Sequence, residues 1–147
     1  MFQQVINFLN SNNWQYVELQ SNQTITFGIA GENGNFKCIA DTIKDENRFI
    51  FFAIYPTEIP NDKRNVMSEL ITRLNFGRFL GNFEMNYDSG ELRYRVSLYH
   101  GTLLPNEDMV REMIFTSIVS MDIALISINA LIEQNISSIK AYQMIKD

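Results

Sequence analysis

The sequence predicts an α+β fold: an antiparallel sheet with helices packed on it, in the order α-βββ-α-ββ-α. Three observations lead there. Two stretches alternate apolar and polar residues on either side of glycine-containing turns, at Asn33-Gly34 and at Ser89-Gly90. Other stretches repeat apolar residues at helical spacing. The 147 residues are 46% hydrophobic and 12% aromatic, without repeats, low-complexity tracts or a linker. Residues 1–147 therefore read as a single domain with its own core.

Phe2, Val5, Ile6 and Leu9 mark one buried helical face, and Ser11-Asn12-Asn13 ends it. The residues from Trp14 to Asn22 read as a connector. In the first strand Ile25, Phe27 and Ile29 alternate with small or polar residues. An Asn33-Gly34 type I′ loop then sets Glu32 against Asn35, Ile29 against Cys38 and Phe27 against Ala40. A turn at 44–47 leads into Arg48 to Tyr55, apolar on both faces and so expected at the centre of the sheet, covered on both sides. Pro56 and Pro60 stop it. Asp62 to about Leu80 reads as the second helix, with Val66, Met67, Leu70, Ile71 and Leu74 as its stripe. In the second hairpin a Ser89-Gly90 turn sets Tyr87 against Leu92, Met85 against Tyr94, Phe83 against Val96 and Glu84 against Arg95. From Met109 onward the chain reads as helix in two pieces, broken near Thr116 to Ser120, with Ile123, Ile126, Ala130 and Leu131 as the stripe of the second piece.

The formal net charge of −5 argues against nucleic acid or an anionic membrane as the main partner. No stretch reads as a secretion signal or a bilayer span, so the expected location is cytoplasmic. His100 is the lone histidine and Cys38 the lone cysteine. Two-histidine zinc signatures and thiol clusters are thereby excluded. His100 reads as a surface loop residue and Cys38 as a buried, inert thiol. Gly28, Gly31 and Gly34 lie in a hairpin with no helix following to hold a phosphate, so they serve a turn. No catalytic residues, no cofactor and no metal are expected.

Two features point to binding. Glu84, Arg93 and Arg95, with Glu91 and Asp88, put opposite charges on one strand face. Arginine is favoured at protein interfaces, and it keeps neighbouring carboxylates ionised, which disfavours acid–base catalysis. Apolar residues are also in surplus. Ile39, Ile43, Ile50, Phe52 and Ile54 point away from Phe36, Cys38, Phe49 and Phe51, so a second apolar face needs cover, from the C-terminal helix or from another chain.

The motifs Arg73-Leu74-Asn75, Gly81-Asn82-Phe83-Glu84 and Asp88-Ser89-Gly90 followed by Arg95, with Pro60 ahead of the helix and Arg64 within it, resemble the YbjN family. Its members show R-x-N, G-x-F-E and D-x-G-x-x-x-x-R in this order, and Trp14 and the Phe27-Gly28 to Phe36 hairpin also fit. The resemblance implies a fold similar to type III secretion chaperones, frequent homodimers, and a regulatory or chaperone-like role without established enzymatic activity. The expectation is thus a non-catalytic, cytoplasmic, homodimeric protein-binding module. Arg73, Asn75, Glu84, Arg93 and Arg95 are its expected partner or dimer surface, the partner being another protein. The alternative is a small-ligand domain with a Phe- and Met-lined pocket between sheet and C-terminal helix.

Overall fold

Alternate residues of a strand point to opposite faces, so the strand sequences sort the sheet into two sides. The structure, a computed structural model, describes residues 1–19, 23–43 and 46–146, with the backbone alone at Ile43. Helix α1 (Phe2–Ser11) is followed by strands β1 (Val17–Leu19), β2 (Thr24–Ala30), β3 (Asn35–Ile43) and β4 (Arg48–Ile54). Then come α2 (Arg64–Asn75), entered through a 3₁₀ turn, strands β5 (Asn82–Met85) and β6 (Leu92–Tyr99), and helices α3 (Glu107–Glu133) and α4 (Ser138–Gln143). The strands form one antiparallel sheet in the order β1-β2-β3-β4-β6-β5.

One face of that sheet is the core. Ile25, Phe27, Phe36, Cys38, Ala40, Phe49, Phe51, Ala53, Leu92, Tyr94, Val96 and Phe83 are buried there. Val5 and Leu9 of α1, Met67 and Leu70 of α2, Ile114 to Leu131 of α3 and Ala141 of α4 complete the same cluster. The helices thus cover a single face. β4 is interior to the sheet as expected, but only Phe49, Phe51 and Ala53 are buried, while Ile50, Phe52 and Ile54 on the other side are half-buried.

Several expectations change. β1, only three residues long, is too short to show an alternation and stands where a connector is expected. The helix α2 stops at Asn75 instead of Leu80, because Phe76 turns to extended backbone and Gly77 takes φ +78°. The helix α3 runs unbroken through Thr116 to Ser120. There Ser117 Oγ donates to the Met113 carbonyl at 2.7 Å, so the buried hydroxyl is satisfied inside the helix. Its buried side uses Ala124, Leu125, Ser127 and Ile128 as well as Ala130 and Leu131, whereas Ile123 faces outward. The expectation that no stretch suits a bilayer also needs amending: α3 is long and apolar enough by length and composition, although its inner side belongs to the core. Residues 44 and 45 of the expected turn and the facing of the Ile43 side chain lie outside the described residues, while Asn47 has φ +50° and its carbonyl accepts from the His100 amide at 3.0 Å.

Both hairpin registers differ from expectation by two residues. Phe27 faces Cys38 and Ile29 faces Phe36, around a loop from Gly31 to Gly34. Glu84 faces Arg93, Asn82 faces Arg95 and Phe83 faces Tyr94. A shift of two keeps every side chain on its expected face. In the second hairpin Asn86 Oδ1 accepts from the Asp88 and Ser89 amides, and Gly90 (φ +84°) closes the loop back to the Asn86 carbonyl at 2.7 Å. The Arg64 guanidinium then takes the Tyr87, Asp88 and Ser89 carbonyls at 2.7–2.9 Å and that of Ile59 at 3.1 Å. In the first hairpin Asp122 of α3 accepts from the Asn33 amide and from Asn33 Nδ2, both at 3.0 Å. Neither Glu32 nor Asn33 has the positive φ that a type I′ turn demands.

Candidate functional site

Three places on the sheet carry exposed chemistry: its uncovered face, its β5 edge and its β2 edge.

The uncovered face follows from strand parity. The register aligns Lys37, Ile54, Arg93 and Glu84 in one row and Thr26, Ile39, Phe52 and Arg95 in the next. Val17 and Leu19 of β1 join this face opposite Thr26 and Thr24, and both are exposed. Among the charged residues, Glu84 sits at the hub. Its carboxylate takes Arg93 Nε at 2.6 Å and lies 3.6 Å from Arg95 Nη1. Arg93 also reaches Glu91 at 3.1 Å, and its Cζ lies over the Phe52 ring, 4.2 Å from the centroid. Partly exposed pairs of this kind contribute up to about 1 kcal/mol each. Arg93 is therefore held on two acids and a ring. Arg95 is held by one long ion pair, and its Nε has no partner among the described residues.

Of the five residues expected to form one surface, the structure joins Glu84, Arg93 and Arg95. Arg73 turns instead to Glu69 on its own helix, at 2.7 Å. The Arg73 hydrogen bond, reinforced by one from Ser138, holds the Glu69 carboxyl below its ordinary range. Asn75 has a different task. Its Oδ1 accepts from the Phe83 amide at 2.7 Å and its Nδ2 donates to the Phe83 carbonyl at 2.9 Å. Asn86 and Glu91 bond across the hairpin, so by alternation Asn82 and Glu84 bond to β6 and the amide and carbonyl of Phe83 point away from it. The side-chain amide of Asn75 thus stands in for one residue of a missing neighbouring strand, and the β5 edge is closed at that point.

The β2 edge is built differently. The Thr42 amide bonds the Gln23 carbonyl at 3.3 Å and the Gly31 amide bonds the Gly34 carbonyl at 2.9 Å. These two bonds fix the alternation, so the odd-numbered residues of β2 bond to β3. Thr24, Thr26, Gly28 and Ala30 turn their peptide groups the other way. β1 pairs with Thr24 and Thr26 and then leaves. Where it leaves, a groove of about 760 Å³ opens between β2 and α3, lined by Trp14, Gly28, Ile29, Phe115, Val119 and Ile123 among others. Beneath it Phe8, Trp14, Phe27 and Phe115 form an aromatic cluster with ring centroids 5.5–5.9 Å apart. The groove lies between sheet and long C-terminal helix, where a pocket was expected, but no methionine lines it.

Sequence reasoning missed Trp14's role and the outward stripe Phe115, Val119 and Ile123. The i, i+4, i+8 spacing of the latter was a readable signal. It also missed Phe76 and Phe79, both fully exposed beyond α2.

Cys38 is fully buried, and burial pushes its thiol far above the ordinary range. No group of three or more His, Cys, Asp or Glu side chains among the described residues is placed to hold a metal ion.

No family model matches the sequence, and none of the curated proteins does. A solved structure does. The crystal structure of YbjN from E. coli, provisionally described as a transcription regulator, superposes with a TM-score of 0.64 at 14% identity. The match covers 88% of this chain and 92% of that one. At that identity the likeness concerns the fold. The chain is built on a YbjN-like fold.

Proposed function

We propose that this chain is a non-catalytic, cytoplasmic protein-binding module of regulatory or chaperone-like kind that works as a homodimer. The observation that carries this reading is the uncovered sheet face. Ile39, Ile50, Phe52 and Ile54 make a half-buried apolar band there, and they stand outside the cluster that the helices enclose. Such bands on soluble proteins mark interaction sites.

Charge favours a second copy as the occupant. The band is flanked by Asp41 on β3 and by Arg95 on β6. A two-fold axis parallel to the strands sets the β6 flank of one copy against the β3 flank of the other, which brings the spare donors of Arg95 to the side that carries Asp41. The description of the E. coli structural neighbour as a regulator agrees with a binding role. A net charge of −5 supports contact with protein over direct contact with nucleic acid.

Sedimentation across a concentration series tests the reading. The expected result is a dimer that Phe52→Glu and Arg95→Glu weaken with helix content unchanged. A monomer at the highest soluble concentration would sink the dimer, and unfolding by Arg95→Glu would make that residue scaffold.

A second reading places a small ligand in the groove beside α3, whose volume of about 760 Å³ falls in the usual range for such sites. A thermal-shift screen against metabolites checks it, since a ligand that binds the native state raises Tm with occupancy.

A further inference from the structure

We infer that the groove beside β2 takes an extended peptide segment of another protein, which adds to the sheet as a strand at Phe27–Ala30. This rests on the reading of the chain as a protein-binding module, but it uses a surface separate from the dimer face.

The first argument is backbone chemistry. Gly28 and Ala30 direct their amides and carbonyls toward the groove, and among the described residues no hydrogen bond reaches them from that side. A row of alternating donors and acceptors is best complemented by another backbone. The open stretch is four residues, about 13 Å at strand spacing, which suits a short segment.

The second argument is the side-chain lining. In an added antiparallel strand, the residue opposite Ile29 exchanges no hydrogen bonds with it and shares its face. Its side chain therefore drops toward Trp14, Phe115 and Val119, while its two neighbours bond Gly28 and Ala30. Val119 and Ile123 are 51% and 43% exposed, so their apolar surface is free to be covered.

The third argument is charge. Glu32 and Asp122 are the charged residues lining the groove, both acidic. Asp122 is engaged by Asn33, which leaves Glu32, exposed at the hairpin tip, as the free charge. The fitting segment is apolar at alternate positions with a lysine or arginine at the Glu32 end. Anionic metabolites are disfavoured by the same residues.

The test is a titration of the full chain with a fluorescent octapeptide, apolar at alternate positions and beginning with lysine, the end that an antiparallel strand sets beside Glu32. Two companions are an N-methylated version unable to bond an edge, and a version beginning with glutamate. The expected result is saturable binding, at least tenfold weaker for the N-methylated peptide and measurably weaker for the glutamate one. Val119→Glu, on an exposed position, should weaken binding at least tenfold, whereas Arg95→Glu should leave it unchanged. Amide exchange at Gly28 and Ala30 should slow on binding. Equal affinity of the N-methylated peptide would overturn strand addition, and no binding by any peptide would overturn the site. Protection of Gly28 and Ala30 by concentrated protein alone would reassign the edge to a second copy. A native chain that stays monomeric at the highest soluble concentration yet binds the peptide would refute the dimer face and leave this inference standing.

Discussion

The two edges of the sheet solve the same problem in opposite ways. An edge strand offers unpaired amides and carbonyls that invite another chain. At β5 the side chain of Asn75 satisfies both groups of Phe83, and the loop beyond it is gathered by Arg64. At β2 the neighbour β1 covers Thr24 and Thr26 and stops, leaving Gly28 and Ala30 beside an apolar groove. The comparison separates residues that resemble site residues by motif from residues left free to bind. Asn75 is polar, lies in a motif and is already occupied. Gly28 looks like filler and is open.

Substitutions sharpen this contrast, and the largest effect is expected at the closed edge. Arg64→Ala strands four carbonyls and should cost about 3 kcal/mol, measured by urea denaturation. Asn75→Ala leaves the Phe83 amide without a partner and its carbonyl with only Asn82 Nδ2, at 3.2 Å, and should cost about 2 kcal/mol, a fall in Tm of roughly 4–8 °C for a domain of this size. It should also raise self-association, because it uncovers an edge. Asn75→Asp keeps the acceptor alone and should fall between. If Asn75→Ala is silent in both stability and association, the edge-closing account fails.

At the open edge the sign reverses. Gly28→Ala has room for its Cβ and removes backbone freedom from the unfolded chain, so it should raise stability by about 0.5–1 kcal/mol. A loss would show that the position is not open. The smallest effect concerns how α2 is held. Because hydrogen bonds from Arg73 and Ser138 lower the Glu69 pKa, its contribution is present above the ordinary carboxylate range and fades as pH falls through the lowered value. The Tm difference between the native chain and Glu69→Gln, small at neutral pH, should therefore vanish in acid.

Much of the fold was legible. The faces of β2, β3, β4, β5 and β6 follow from alternation, and the turns of α1 and α2 from their apolar spacing. What could not be read has physical causes. The strand β1 is too short to show a period. The run from Thr116 to Ser120 reads as a break because serine hydroxyls compete with the backbone in isolation, yet Ser117 bonds the Met113 carbonyl of its own helix and faces the core. For the candidate site, Glu84 and its two arginines were visible because they lie on neighbouring strands. Arg73 and Asn75 sat in the same motif, but their partners Glu69 and Phe83 could not be assigned from spacing alone.

By itself the sequence determined which side of the sheet each side chain occupies, because a period of two survives any even shift in pairing. The tertiary structure decided the register and the fate of the edges. Asp122 reaches the Asn33 turn across 89 residues and Arg64 reaches the Ser89 loop across 25, and these contacts select four-residue loops where local turn chemistry favours two. Local preferences among turns differ by little, so side chains that satisfy several backbone groups at once settle which one forms.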